Sequence, residues 1–189
     1  MKFRFSIIVL PLLVLATLPF FHKHQLGSLL SSVERSEATM ESHAKVYDEA
    51  PKETLMSNGS RQYCLGGVEG NECSFNIADP MNYWIRNYLN ENASTTRENL
   101  LVDRYEIEKV TLFDFFPRLN SARDLYIKHV DAWVKYLENR STCGSYSECF
   151  NKTNEISPTF RIAKSAFLDS MWPTDSENLE KRINGIFED

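Results

Sequence analysis

The sequence predicts an all-α fold: a small antiparallel bundle of about five helices with two disulfides, preceded by a signal or anchor helix and a stalk. Three observations predict it. Apolar residues recur at helical spacing from Pro80 onward, caps and prolines punctuate that pattern, and four cysteines follow an apolar, positively led start.

That start comes first in the chain. Lys2 and Arg4 precede an apolar run from Phe5 to Phe21 broken only by Ser6, Pro11, Thr17 and Pro19. This is the form of an export signal, with Val14 and Ala16 at small-residue positions before a cleavage site. An uncleaved anchor is the alternative, since about 17 apolar residues is the lower limit for a spanning helix. Residues 1–25 are therefore assigned to a signal peptide or signal anchor. Both readings place the rest outside the cytoplasm: periplasmic, secreted or lumenal, or single-pass with the C-terminal domain outside.

Residues 26–62 are expected to be a helical stalk or linker. Leu26, Val33, Met40 and Tyr47 recur every seven residues, yet the positions between them are mostly Ser, Glu, His or Ala. A solvated helix is thus favoured over a coiled coil. Pro51 ends it, and the stretch through Asn58-Gly59-Ser60 reads as a flexible connection.

Residues 63–189 form the expected disulfide-supported helical domain. Asp79 before Pro80 caps a helix with Met81, Trp84, Ile85, Tyr88 and Leu89 on one face. Thr95 and Glu98 form a capping box for a second helix, starting near Thr96 and running to Pro117. From Asn120 or Ser121, Leu125, Tyr126, His129, Val130, Trp133, Val134 and Leu137 trace the clearest apolar stripe, marking the central helix. Ser157-Pro158 opens a fourth, burying Phe160, Ala163, Phe167 and Met171 before Pro173. Thr174 and Glu177 cap the last, which carries Leu179, Ile183, Ile186 and Phe187.

The 21 basic and 26 acidic residues give a net charge of −5, and no Asp or Glu occurs before Glu34. The soluble part is therefore the more acidic one. With no cluster of Lys and Arg to neutralise phosphates, nucleic-acid binding is disfavoured. An acidic surface favours basic partners.

Cys64, Cys73, Cys143 and Cys149 allow three disulfide pairings. Cys64 with Cys73 and Cys143 with Cys149, each closing a short loop that contains Gly, is favoured. Zinc is the competing reading, but C-x8-C and C-x5-C lack the usual close spacing and no nearby His completes a site. No metal or cofactor is expected.

Candidate chemistry is sparse. His129, on the apolar stripe of the central helix, reads better as a buried, hydrogen-bonded histidine than as a catalytic base. The enzymatic alternative is a hydrolase that gathers His129 with Asp103 or Asp114. His22, His24 and His43 fall in or near the leader and stalk. No G-x-S-x-G turn or P-loop occurs, and no catalytic residue is assigned. Asn58, Asn92, Asn139 and Asn151 begin N-x-S/T sequons, all expected in loops or at element ends, and are possible glycosylation sites in an exported chain.

The segment Asp131-Ala132-Trp133-Val134-Lys135-Tyr136, followed by Cys143, resembles the late helix of LprI-type lysozyme inhibitors. So does the order of cysteines, two before the first helices and two after the Trp-bearing one, with the Ala78-Asp79 pair shortly after the second. The likeness covers roughly residues 64–170. It departs where the family usually has Arg-Asp after the aromatic, since Leu137-Glu138 stands here, and where Met81-Asn82 replaces Leu-Asn; Cys143 also comes about two residues late. The resemblance implies an exported protein that binds and blocks a lysozyme, and an acidic surface suits so basic an enzyme. The expected function is thus an exported, noncatalytic helical domain that binds an extracytoplasmic protein. A membrane-tethered structural component assembling through the stalk is the alternative.

Overall fold

Helix α1 runs from Phe3 to Lys45 without a break, so the presumed leader and stalk share one helix. The computed structural model describes the backbone of residues 3–74, 79–110, 117–145, 147–149, 151 and 157–170. Side chains of 3–16, 19, 22, 74, 117 and 157–162 are outside that description. Most side chains of the signal or anchor segment therefore lie outside the description. So do the predicted helix after Thr174, Asp114 and Met171.

After a short 3-10 turn (Val46–Glu49) come strands β1 (Lys52–Leu55), β2 (Arg61–Cys64) and β3 (Cys73–Ser74). They form an antiparallel sheet in that order, with Glu53 opposite Tyr63 and Cys64 opposite Cys73. The flexible connection expected over 51–62 is thus a β-hairpin, and the all-α expectation is corrected to a mainly helical one. The physical reason lies in the residues. Gln62 and Cys64 are buried while Arg61 and Tyr63 face solvent, the period-two alternation of a half-buried strand. Gly59, at φ 80°, supplies the left-handed turn residue. The Cys64–Cys73 disulfide ties β2 to β3 and the second disulfide joins Cys143 to Cys149.

Helix α2 (Pro80–Trp84) starts where expected: the Asp79 carboxylate accepts the Asn82 N–H at 3.0 Å, and Pro80 fills the first turn. It continues through a π turn, Ile85–Leu89, into α3 (Asn90–Lys109). The capping box at Thr95 and Glu98 therefore starts nothing. Ala93 and Thr96 are buried on the helix face that packs inward, and nothing between Trp84 and Lys109 breaks the helix. α3 ends at Lys109, short of Pro117, because Val110 leaves helical geometry at ψ 108°. Helix α4 spans Pro117–Ser141, with proline at its first position rather than a cap at Asn120. Helix α5 spans Ser157–Ser170.

α3 runs antiparallel to α1, since Asp103 meets Arg35 and Thr39 while Asn92 meets His43. α4 runs parallel to α1, with Tyr126 against Val33 and Tyr136 against Tyr47. The main core joins Leu29, Val33 and Met40 of α1 to Leu100 and Ile107 of α3, Tyr126, Val130 and Leu137 of α4 and Phe167 of α5. A smaller core gathers Trp84, Ile85, Leu89, Cys143 and Cys149.

The expectation of a solvated stalk is overturned here. Val33 and Met40 are buried, and Leu26 and Tyr47 pack at the edges of the two cores. The seven-residue recurrence marks the inward face of a bundle helix, and that face is occupied within the chain. Each such residue fully buried contributes on the order of 1.5–3 kcal/mol.

Candidate functional site

Two polar arrangements stand out, one sealed and one open. The sealed one is centred on Glu37 of α1, only 2 % exposed inside the bundle. The Tyr126 hydroxyl donates to Glu37 Oε1 at 3.0 Å, with the Val33 carbonyl as a second acceptor at 3.2 Å. Lys164 of α5 donates to Glu37 Oε2 at 2.7 Å. His129 Nε2 stands 3.4 Å from Oε1, a loose electrostatic contact rather than a well-aligned hydrogen bond. Burial pushes the Glu37 carboxyl up, but the His129 imidazole and the Lys164 ammonium together outweigh it and hold it below its ordinary 4.5. The Tyr126 phenol is driven well above 10, by burial first and then by the Glu37 charge.

This geometry answers the question of His129. Its ring is 2 % exposed and tilted against Tyr126 at 5.5 Å between centroids. Asp103, the suggested catalytic partner, has its carboxylate engaged by Arg35 at 2.5 Å and Thr39 at 3.0 Å. The arrangement can hold charges and tie α1 to α4 and α5. The cavities described below are lined by neither His129 nor Glu37.

The open arrangement lies where the sheet meets α2. Pairing of β2 with β1 and β3 turns Tyr63 outward, and the Asp79–Pro80 cap brings Tyr83 beside it. Tyr63, Tyr83, Glu72 and Cys73, with Pro51, Leu65 and Pro80, line a cavity of about 200 Å³. Tyr63 is 46 % exposed and Tyr83 44 %, while Leu55 and Val68 stand in solvent on the same small subdomain. Tyr88, edge-on to Tyr83 at 6.3 Å, donates its hydroxyl to Glu72 Oε2 and is pushed up to about 12, chiefly by that bond. Glu72 itself is exposed. Two exposed phenol rings beside a carboxylate suit a Lys or Arg side chain, through ring-face attraction and charge pairing.

The sequons are placed unevenly. Asn58 is exposed in the hairpin turn, where its side-chain oxygen accepts the Ser60 N–H at 2.9 Å. Asn92 is no loop residue: it lies within α3, and its side-chain oxygen meets the buried His43 Nδ1 at 2.6 Å. Asn139 is half-buried near the end of α4, and Asn151 is exposed. Among the described residues no group of three or more His, Cys, Asp or Glu side chains gathers to hold a metal, and no helix is long and apolar enough to cross a membrane.

Nothing in the sequence announced the open site, because Tyr63, Glu72 and Tyr83 come together only through the sheet. The alternation Arg61-Gln62-Tyr63-Cys64 after Asn58-Gly59 was the signal that could have found it.

The class these features define is a mainly helical domain with two disulfides and a small sheet that displays aromatic side chains. Comparison with family models, with curated proteins and with solved structures gives no match.

Proposed function

We propose that this chain is an exported, noncatalytic domain that binds a basic protein outside the cytoplasm, with a lysozyme-type hydrolase as the named candidate. The observation that carries the reading is the pair of exposed tyrosines flanking Glu72 on a disulfide-held sheet. Exposed tyrosines beside one carboxylate are the composition of a recognition surface rather than of a reaction centre. Support for binding over a hydrolase centred on His129 comes from the burial of that ring and the engagement of Asp103 elsewhere. Two disulfides belong to an oxidising compartment, and the positively led apolar start supplies the route there, whether it is cleaved or retained as an anchor.

A lysozyme turbidity assay tests the named partner. Clearing of a cell-wall suspension slows on addition of the purified protein, and the Tyr63→Ala/Tyr83→Ala variant loses at least tenfold in potency. No inhibition at tenfold molar excess removes lysozyme as the partner. Nonreducing peptide mapping of protein from its native source tests the compartment: free thiols with an intact start would overturn export.

A further inference from the structure

A second cavity, separate from the tyrosine site, has a chemistry of its own. It measures about 260 Å³ and lies over the smaller core, between the turn that follows α1, the α2 segment with its π turn, and the end of α4. Its walls are Ala50, Met81, Ile85 and Leu89, with Tyr47, Trp84 and Arg140 as the polar-bearing members; the Tyr47 hydroxyl is paired with that of Tyr136 at 3.1 Å. Among the described residues no carboxylate lines it.

Trp84 and Arg140 are the donors that a ligand's acceptor could meet. Trp84 is 2 % exposed, and its indole N–H meets no acceptor among the described residues. A buried donor left in that state costs free energy, so each such group calls for an explanation. Among the described residues Arg140 meets no acidic partner. Its Nε donates to the Tyr136 hydroxyl at 3.3 Å, and its guanidinium lies 5.5 Å from the Tyr47 ring centroid and 5.6 Å from that of Tyr136. The rings hold the cation in place without neutralising it. The π turn Ile85–Leu89 forms part of the wall, and such turns recur at functional sites.

An apolar chamber with one unneutralised guanidinium and one unpaired N–H selects a ligand with an apolar body and an anionic, acceptor-bearing end. We infer that this cavity binds a small apolar monocarboxylate, an alkanoic or aryl-alkanoic acid, with its carboxylate accepting from Arg140 and the Trp84 N–H and its body against Ile85 and Leu89. Size sets the range. A cavity of about 150 Å³ accepts benzene, so by proportion this one takes about ten non-hydrogen atoms. Octanoate has that size. Phosphorylated or dicarboxylic ligands are disfavoured, because among the described residues that line the chamber Arg140 is the one cation.

The test uses the full chain with octanoate as probe and follows the indole N–H resonances by NMR, with the Trp84 signal assigned from Trp84→Phe. Octanoate is expected to shift the Trp84 signal saturably, with a dissociation constant below about 1 mM. Octylammonium should leave it in place. Arg140→Met should weaken octanoate at least tenfold while binding of neutral octanol changes less than twofold. Amphiphile uptake by the apolar start of the chain would leave the Trp84 resonance unmoved, so a still Trp84 signal overturns the inference. Equal response to octanoate and octylammonium overturns it too, and that comparison needs no variant. Should Arg140→Met fail to fold, Ala50→Leu narrows the chamber with Arg140 intact, and undiminished octanoate binding there would also refute the assignment.

Discussion

Replacing Glu37 with glutamine removes one negative charge from the centre of the bundle and leaves the shape of the side chain almost unchanged. Three partners respond. Tyr126 keeps the Val33 carbonyl as acceptor, so weakening its bond to residue 37 costs about 0.5–1 kcal/mol. Lys164 loses a charge-assisted bond, but its side chain is 29 % exposed and turns to water, which limits that cost to about 1 kcal/mol. His129, 2 % exposed, loses its contact with that charge at 3.4 Å for about 0.5–1 kcal/mol. The total is about 2–3 kcal/mol, which for a chain of this size lowers Tm by roughly 4–12 °C. Urea denaturation at pH 7, followed by circular dichroism, measures it. Lys164→Met and the double variant complete a cycle whose coupling energy should reach about 1 kcal/mol. A coupling below about 0.5 kcal/mol would refute the claim that this ion pair clamps α5 to α1. The pH dependence has a fixed sign. Glu37 titrates below 4.5 when folded, so its contribution is complete above the unfolded value and fades as pH falls through the folded one. The stability gap between the native chain and Glu37→Gln should therefore close on acidification.

Other perturbations test the architecture. Leu29→Ala should cost about 2–5 kcal/mol by calorimetry, as a core deletion does, whereas a solvated stalk would show less than about 0.5 kcal/mol. Converting Cys64 and Cys73 to serine opens a loop with a sequence separation of 9 and should cost about 2.5 kcal/mol. Amide exchange in β1 and β2 should rise more than in α3. Asn92→Ala leaves buried His43 without its Nδ1 partner and should destabilise by about 1–3 kcal/mol in urea. For the same reason, a glycan at Asn92 is incompatible with this packing, and intact mass analysis of folded, glycosylated protein should find that site bare.

How much of this was legible depends on where each residue finds its partner. The α4 stripe is local, so Tyr126, His129, Val130 and Leu137 declared their burial through spacing alone, and all four are inside. The Asp79–Pro80 start was equally plain, because a cap needs only three neighbouring residues. α1 misled for the opposite reason. Glu37 and His43 are buried polar residues whose partners sit on α3, α4 and α5, so in sequence they look like a solvated face. The helix break expected at Thr95 failed because a capping box is a permission to start, and a helix already under way ignores it. The sheet escaped notice because its strands are only two to four residues long and gain their order from pairing and a disulfide.

Helix α1 also fixes where the molecule shows its two pockets. It is a single rod with no swivel, and the sheet begins just past its far tip. From Phe21 to Lys45 that rod rises about 36 Å, at about 1.5 Å per residue. On the export reading, a bilayer gripping the greasy end would hold the tyrosines and the Trp84 chamber at arm's length from the lipid, angled however the rod is angled. Trimming the rod by signal cleavage near Ala16 would free the body to diffuse yet leave every buried contact from Gln25 onward intact.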